Sequence, residues 1–202
     1  HQRKEDVKMQ IKRSRFTVIS TFLLLITSSV FSETGYDLWL RYVQVSDASL
    51  LEQYRSLATQ IIVQGNSATI TAAKSEITKG LNGLLGRTIP SGSSITANGA
   101  IVIGTPSNSS IISELNLSLD PGSEAYKIVT TTSGGYSIIA VASSGDIGAL
   151  YGTFHLLRLI QTGQPLSDLN ISEKPRIKRR LLNHWDNLNG TIERGYAGSS
   201  LW

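Results

Sequence analysis

The run Gly99-Ala-Ile-Val-Ile-Gly104 constrains the fold more than any other stretch of this 202-residue chain. It is fully apolar, bounded by glycine and too short for a helix, so it reads as a strand. Helical patterns stand on both sides of it. Upstream, Ser46 or Asp47 can cap a helix in which Leu50, Leu51, Tyr54, Leu57 and Ala58 recur on one face. Gln60-Ile-Ile-Val-Gln64 is a second short β-branched run, closed by Gly65-Asn66. A second helix spans Ala68 to Leu85, with Ile77, Leu81, Leu84 and Leu85 on its buried side and Gly86 just past its end.

Downstream, Pro106 and a Ser/Asn cluster make a loop, and Ile111 to Leu117 forms a short helix. A hairpin comes next: Tyr126-Lys-Ile-Val-Thr130 and Tyr136 to Ala142 flank Ser133-Gly134-Gly135, a turn able to supply positive φ. Asp146 can cap a long helix in which Ile147, Leu150, Tyr151, Phe154, Leu157 and Ile160 keep the helical period, stopped by Gly163. Gly148 and Gly152 sit one turn apart on it. Glycine inside a helix costs about 1 kcal/mol against alanine, so a close approach to a neighbouring strand is expected there. With Asp37-Leu-Trp-Leu-Arg-Tyr42 read as an alternating first strand, the order predicts an α/β domain over residues 33–164, a mixed sheet with helices packed on it. Pro165 to Pro175 reads as a polar linker, and residues 176–202 open a new element.

The charge is unevenly placed. The net +4 resides in residues 1–15, where Arg3, Lys4, Lys8, Lys12, Arg13 and Arg15 outnumber Glu5 and Asp6. Residues 16–32 carry no formal charge, and the chain from Glu33 onward is neutral, which removes the case for nucleic-acid binding by bulk charge. Residues 1–32 read as an export signal preceded by an extension over 1–8, with Met9 as the expected start. Lys12, Arg13 and Arg15 precede an apolar Phe16 to Phe31 run, and cleavage is expected before Glu33. That run is shorter than the roughly 20 apolar residues of a membrane span. The expected mature protein is therefore periplasmic or extracellular and free of the membrane. The chain has no cysteine, so it uses no disulfide.

Several chemistries are excluded. No phosphate-binding GxxxxGK[ST] exists, and Gly80-Leu-Asn-Gly-Leu-Leu-Gly86 is a helix end. There is no G-x-S-x-G elbow. Three histidines, no cysteine and no H-E-x-x-H predict neither metal nor cofactor. His155 falls within the long helix and is assigned a structural role. What remains is His184-Trp185-Asp186-Asn187. A leucine-rich strand ending in an aromatic and polar side chains is what the C-terminal mouth of a (β/α)8 barrel strand looks like. Trp185 offers a flat face to a sugar ring, Asp186 and Asn187 can hydrogen-bond hydroxyls, and Glu193 and Arg194 come after them on the loop. The same spacing equally suits Trp185 packing between two domains, with Asp186 or Asn187 capping a turn.

Leu182-Asn-His-Trp-Asp-Asn-Leu-Asn-Gly-Thr-Ile-Glu-Arg-Gly-Tyr-Ala-Gly198 resembles the opening of the catalytic barrel of family 67 glycoside hydrolases, the xylan α-glucuronidases. Gly35-Tyr-Asp-Leu-Trp-Leu-Arg-Tyr42, the hairpin at Gly134-Gly135-Tyr136 and Asp146 to Gly163 resemble that family's N-terminal domain. The long-helix pattern is shared with the β-hexosaminidase group, so the NHWDN…GxxERGYAG stretch separates the families. The resemblance implies an enzyme that hydrolyses the α-1,2 bond, releasing glucuronic acid or its 4-O-methyl ether from xylooligosaccharides with inversion. It also implies the start of a barrel over residues 176–202, and it allows a homodimer of the full-length enzyme. The family's catalytic carboxylates are expected beyond Trp202, so no residue here is assigned a catalytic role and the fragment alone is expected to be inactive. Trp185 is expected in the sugar-binding wall, with Asp186, Asn187, Glu193 and Arg194 as weaker substrate contacts. The alternatives are a non-catalytic module that binds carbohydrate or another domain, and the front domain of another exo-glycosidase.

Overall fold

The computed structural model of the chain describes residues 40–181. Helix α1 (Ala48–Leu57) starts at Asp47, whose carboxylate accepts from the Leu50 N–H at 2.8 Å. It buries Leu51 and Tyr54. Strand β1 (Gln60–Val63) leads into helix α2 (Ala68–Leu85), which Ser67 caps and which Gly86 ends in the left-handed conformation; the sequence pattern predicts the bounds and the Gly86 stop. The Arg55 guanidinium donates twice to the Leu85 carbonyl, at 2.8 and 3.0 Å, placing a cation at the negative end of α2. Strands β2 (Ser91–Gly92) and β3 (Ala100–Gly104), helix α3 (Ser110–Glu114), strands β4 (Tyr126–Ser133) and β5 (Tyr136–Ser143), helix α4 (Asp146–Gln161) and strand β6 (Asn170–Glu173) complete the order.

The six strands form one mixed sheet in the order β2-β1-β3-β5-β4-β6. The pairs β1–β2, β1–β3 and β3–β5 are parallel, whereas β4 runs antiparallel to both β5 and β6. Every residue of β3 is buried, because the sheet is covered on both faces. On one face Ile62, Ala100, Val102, Ile138, Ala140 and Ala142 cluster with Ile112 of α3. By strand alternation Ile61, Ile101, Ile103, Ile139 and Val141 point to the other face, where α2 and α4 pack. The expected hairpin is present, and both strands run further than the pattern suggests, to Ser133 and Ser143. Gly134 and Gly135 at φ 57° and 85° supply its two-residue turn.

The structure corrects several expectations about the elements. Leu40 to Tyr42, the described part of the expected first strand, form no strand; Tyr42 turns to φ 49° and is buried, its hydroxyl donating to Glu76. Helix α3 stops at Glu114, and Leu115, Leu117 and Leu119 pack against the sheet cluster from the chain beyond it. The Pro165–Pro175 linker contains β6, and its Leu166 and Leu169 are buried. The buried face of α4 is Gly148, Ala149, Gly152, Thr153, Leu156, Leu157 and Ile160. Of the expected apolar stripe, Leu157 and Ile160 are buried, Leu150, Tyr151 and Phe154 are half-buried, and Ile147 is 40% exposed. The helix turns its small residues inward because they allow the closest contact with the sheet. A Cβ on Gly152 would lie 2.5 Å from Val141 Cγ1, and one on Gly148 2.2 Å from the Ala125 carbonyl oxygen.

Candidate functional site

His184, Trp185, Asp186, Asn187, Glu193 and Arg194, the residues the sequence singles out, lie outside the described residues, as does the expected start of a barrel. Two other places in the domain gather functional side chains.

The first is the carboxyl end of the parallel strands. Helix α2 comes after β1 on one face of the sheet and α3 after β3 on the other, so the neighbouring ends of β1 and β3 form a topological switch point. Open α/β sheets commonly bind ligands in that crevice. Here its own side chains tie it shut. Asp146 accepts from Ser67 Oγ at 2.6 Å and from Asn108 Nδ2 at 3.1 Å. Asn108 Oδ1 accepts from the Thr105 N–H at 2.8 Å, and Ser109 Oγ donates to Gln64 Oε1 at 2.5 Å. Asp146 was expected to cap α4. It is instead the first residue of that helix, with Gly145 as the cap residue, and its carboxylate serves the loops after β1 and β3.

The second is a groove between α4, the start of β4 and the end of β6. A cavity of about 430 Å³ is lined by Tyr126, Tyr151, Phe154, His155, Arg158 and Glu173. It shares Tyr126, Tyr151 and Glu173 with a neighbour of about 330 Å³, which adds Lys174, Pro175 and Arg180. Both volumes are of ligand-pocket size. Tyr126 Oη lies 2.8 Å from His155 Nδ1, and the two rings meet edge to face at 5.7 Å. Arg180 pairs with Glu124 and sits 5.8 Å from the centre of the Tyr151 ring. No group of three His, Asp or Glu side chains able to hold a metal occurs among the described residues.

In this groove His155 is half-buried and hydrogen-bonded to Tyr126. Burial, reinforced by Arg158, pushes its pKa below the ordinary 6.5, and Glu173 opposes them. Burial and Glu173 push the Tyr126 phenol up. At neutral pH a protonated Tyr126 and a neutral His155 therefore share this hydrogen bond. The folded chain takes up this proton less readily than the unfolded chain, so the histidine's contribution is full above pH 6.5 and is lost as pH falls below it. His155→Gln, which keeps an acceptor without a titrating ring, should flatten that acid-side loss in urea unfolding measured above and below pH 6.5. An unchanged pH slope would contradict the assignment.

The sequence did not reveal this groove, although its signal was present. Ile147, Tyr151 and Phe154 are large apolar residues on a helix whose opposite side is already apolar and small.

Known proteins resemble the chain along nearly its whole length. Residues 38–156 match the family model described as glycosyl hydrolase family 67 N-terminus, and residues 159–202 match the family 67 middle domain. An alpha-glucuronidase of Hypocrea jecorina is 31% identical over 201 residues, covering 92% of this chain and 23% of that protein. A probable alpha-glucuronidase A of Aspergillus oryzae is 27% identical over 191 residues, covering 90% of this chain and 21% of that protein. The chain thus spans less than a quarter of the length of these curated relatives. Among solved structures, a family GH115 4-O-methyl-alpha-glucuronidase with specificity for decorated arabinogalactans is similar, with a TM-score of 0.49. It is 16% identical, over 60% of this chain and 18% of that one.

Proposed function

The chain belongs to glycosyl hydrolase family 67, and from that membership we propose that it is the N-terminal part of an α-glucuronidase. The enzyme hydrolyses the α-1,2 bond that joins glucuronic acid, or its 4-O-methyl ether, to xylooligosaccharides. The observation that carries this reading is the pair of family matches lying end to end, one over the α/β domain and one over the NHWDN stretch. In this reading residues 176–202 are the first strand and loop of the catalytic barrel. Trp185 stacks on the sugar, while Asp186, Asn187, Glu193 and Arg194 organise that loop and touch substrate. The reaction inverts the anomeric centre: one carboxylic acid protonates the leaving oxygen, and a carboxylate roughly 6.5–9.5 Å away activates water. Those two groups belong to the remainder of the barrel. Residues 1–32 direct export.

The 202-residue chain should release no glucuronic acid from aldouronic oligosaccharides. Joined in frame to the rest of a family 67 barrel, it should release the acid, with the inverted anomer seen first by NMR. Release by the chain alone, or a first product of retained configuration, would sink the proposal.

A further inference from the structure

Four Asn-x-Ser/Thr sequons occur in the chain, at Asn108, Asn116, Asn170 and Asn189, none with proline in the middle. Such a tripeptide is the acceptor for N-glycosylation of an exported protein and belongs on an accessible surface. Asn189 lies outside the described residues. The other three sequons all end in serine, at Ser110, Ser118 and Ser172, so the motif itself does not rank them. The fold does. Asn108 is half-buried in the crevice at the ends of β1 and β3, and both ends of its amide are committed: Nδ2 donates to Asp146, and Oδ1 accepts from the Thr105 N–H. Gly65 packs directly on that Nδ2, since a Cβ there would lie 2.9 Å from it, which leaves no room for a sugar ring. Asn116 follows α3 at φ 48°, a left-handed conformation that asparagine tolerates. It is exposed between Leu115 and Leu117, which pack inward. Asn170 is exposed at the start of β6, the edge strand of the sheet. It pairs with Val129, which packs against the α3-side cluster, so Asn170 shares that face.

We propose that Asn116 and Asn170 carry N-linked glycans in the exported protein and that Asn108 does not. The donor is an oligosaccharide joined to a lipid diphosphate, met as the chain enters a secretory pathway. Asparagine Nδ2 bonds to C1 of the first sugar and the C1–O bond to the diphosphate breaks. The diphosphate leaves with the electron pair, and one amide proton is released. The substituted Nδ2 keeps its other hydrogen, so Asn116 still donates to the Glu114 carbonyl, 3.1 Å away. A sugar on Asn108 would displace Gly65 and open the crevice, and chains that fail to fold are cleared before they accumulate. Asn116 and Asn170 both lie on the α3 side of the sheet, away from α2 and α4. N-linked glycans are bulky and solubilising, so this side of the domain faces solvent in the exported protein. The inference rests on the reading that residues 1–32 direct export and is independent of the reaction proposed above.

Secretion of the 202-residue chain from yeast tests this, once with its own residues 1–32 and once with a leader of the host in their place. Where the chain is retained in the cell, the same chain joined in frame to the rest of a family 67 barrel is read instead. Releasing the glycans with a peptide amidase in heavy-oxygen water turns each modified asparagine into a labelled aspartate, and peptide mass spectrometry then reads every site. Asn116 and Asn170 should be labelled, and Asn108 should remain asparagine. Ser118→Ala and Ser172→Ala, both at exposed positions, should each remove one of the two labels and leave the other. Labelling under the host leader alone would support the sites and sink the export reading. An unlabelled Asn116 or Asn170 under the host leader, or a labelled Asn108 in secreted protein, would overturn the proposal.

Discussion

Gly148→Ala should destabilise the domain by about 3 kcal/mol, although alanine is the better helix former by about 1 kcal/mol. The sign of the effect depends on where the new methyl would sit. It would lie 2.2 Å from the Ala125 carbonyl oxygen, 2.2 Å from Ser143 Oγ and 3.0 Å from the Ala125 carbonyl carbon. None of these atoms is the free end of a flexible side chain. Ser143 is fully buried, and its hydroxyl donates to that carbonyl at 2.5 Å and accepts from the Gly145 N–H at 3.1 Å. The backbone of Gly148 is also committed, donating to the Ser123 carbonyl at 2.7 Å. Accommodating the methyl therefore means lifting the first turn of α4 off β4 and β5 and breaking this network. Overpacking of this kind costs about 1–3 kcal/mol, occasionally more. Urea unfolding should show a lower midpoint at unchanged slope. A variant as stable as the parent would mean that α4 does not approach the sheet so closely.

The same glycine shows how far the sequence could be read. A pair of glycines one turn apart announced a close approach, because a glycine in the middle of a helix has few other reasons to be there. Helix α2 was legible at both bounds, and Gly86 carries its end in its own chemistry. The hairpin was legible because Gly134 and Gly135 mark a turn that needs two positive φ angles. Strand β6 was not, because Asn170 to Glu173 is polar except for Ile171. The strand exists only through its pairing with β4, a partner some 40 residues away in sequence. The burial of α4 was misread because periodicity weighs side-chain size, whereas the sheet selected the smallest residues. The candidate sugar contacts from Trp185 to Arg194 were legible as a motif, and they lie outside the described residues. Of the groove only the α4 side was legible, in Tyr151 and Phe154, since its other walls come from β4, β6 and the departing chain.

Asp146→Ala should cost about 2 kcal/mol, and the loss should be felt at the loops after β1 and β3 more than in α4 itself. The carboxylate joins three segments. It accepts from Ser67, which caps α2 through the Ile70 N–H at 3.1 Å, and from Asn108, which folds the loop after β3 onto the Thr105 N–H. It also lies in the first turn of α4, where a negative charge is favoured by the helix dipole. Hydrogen bonds to a charged group are worth about 1.5–3 kcal/mol, and water can replace part of that at a half-buried site. Asp146→Asn should recover only part of the loss. Its amide offers one acceptor where the carboxylate offers two, and it brings a donor to a place where Ser67 and Asn108 already donate. Gly65 makes the arrangement specific, because any Cβ there would lie 2.9 Å from Asn108 Nδ2. Hydrogen exchange should accelerate over residues 64–67 and 105–109 in the alanine variant while the centre of the sheet stays protected. Stability within about 0.5 kcal/mol of the parent, or uniform acceleration across the domain, would show that the crevice is closed by packing and not by this carboxylate. The position most open α/β sheets offer to a ligand is thus used here to hold the domain's own loops.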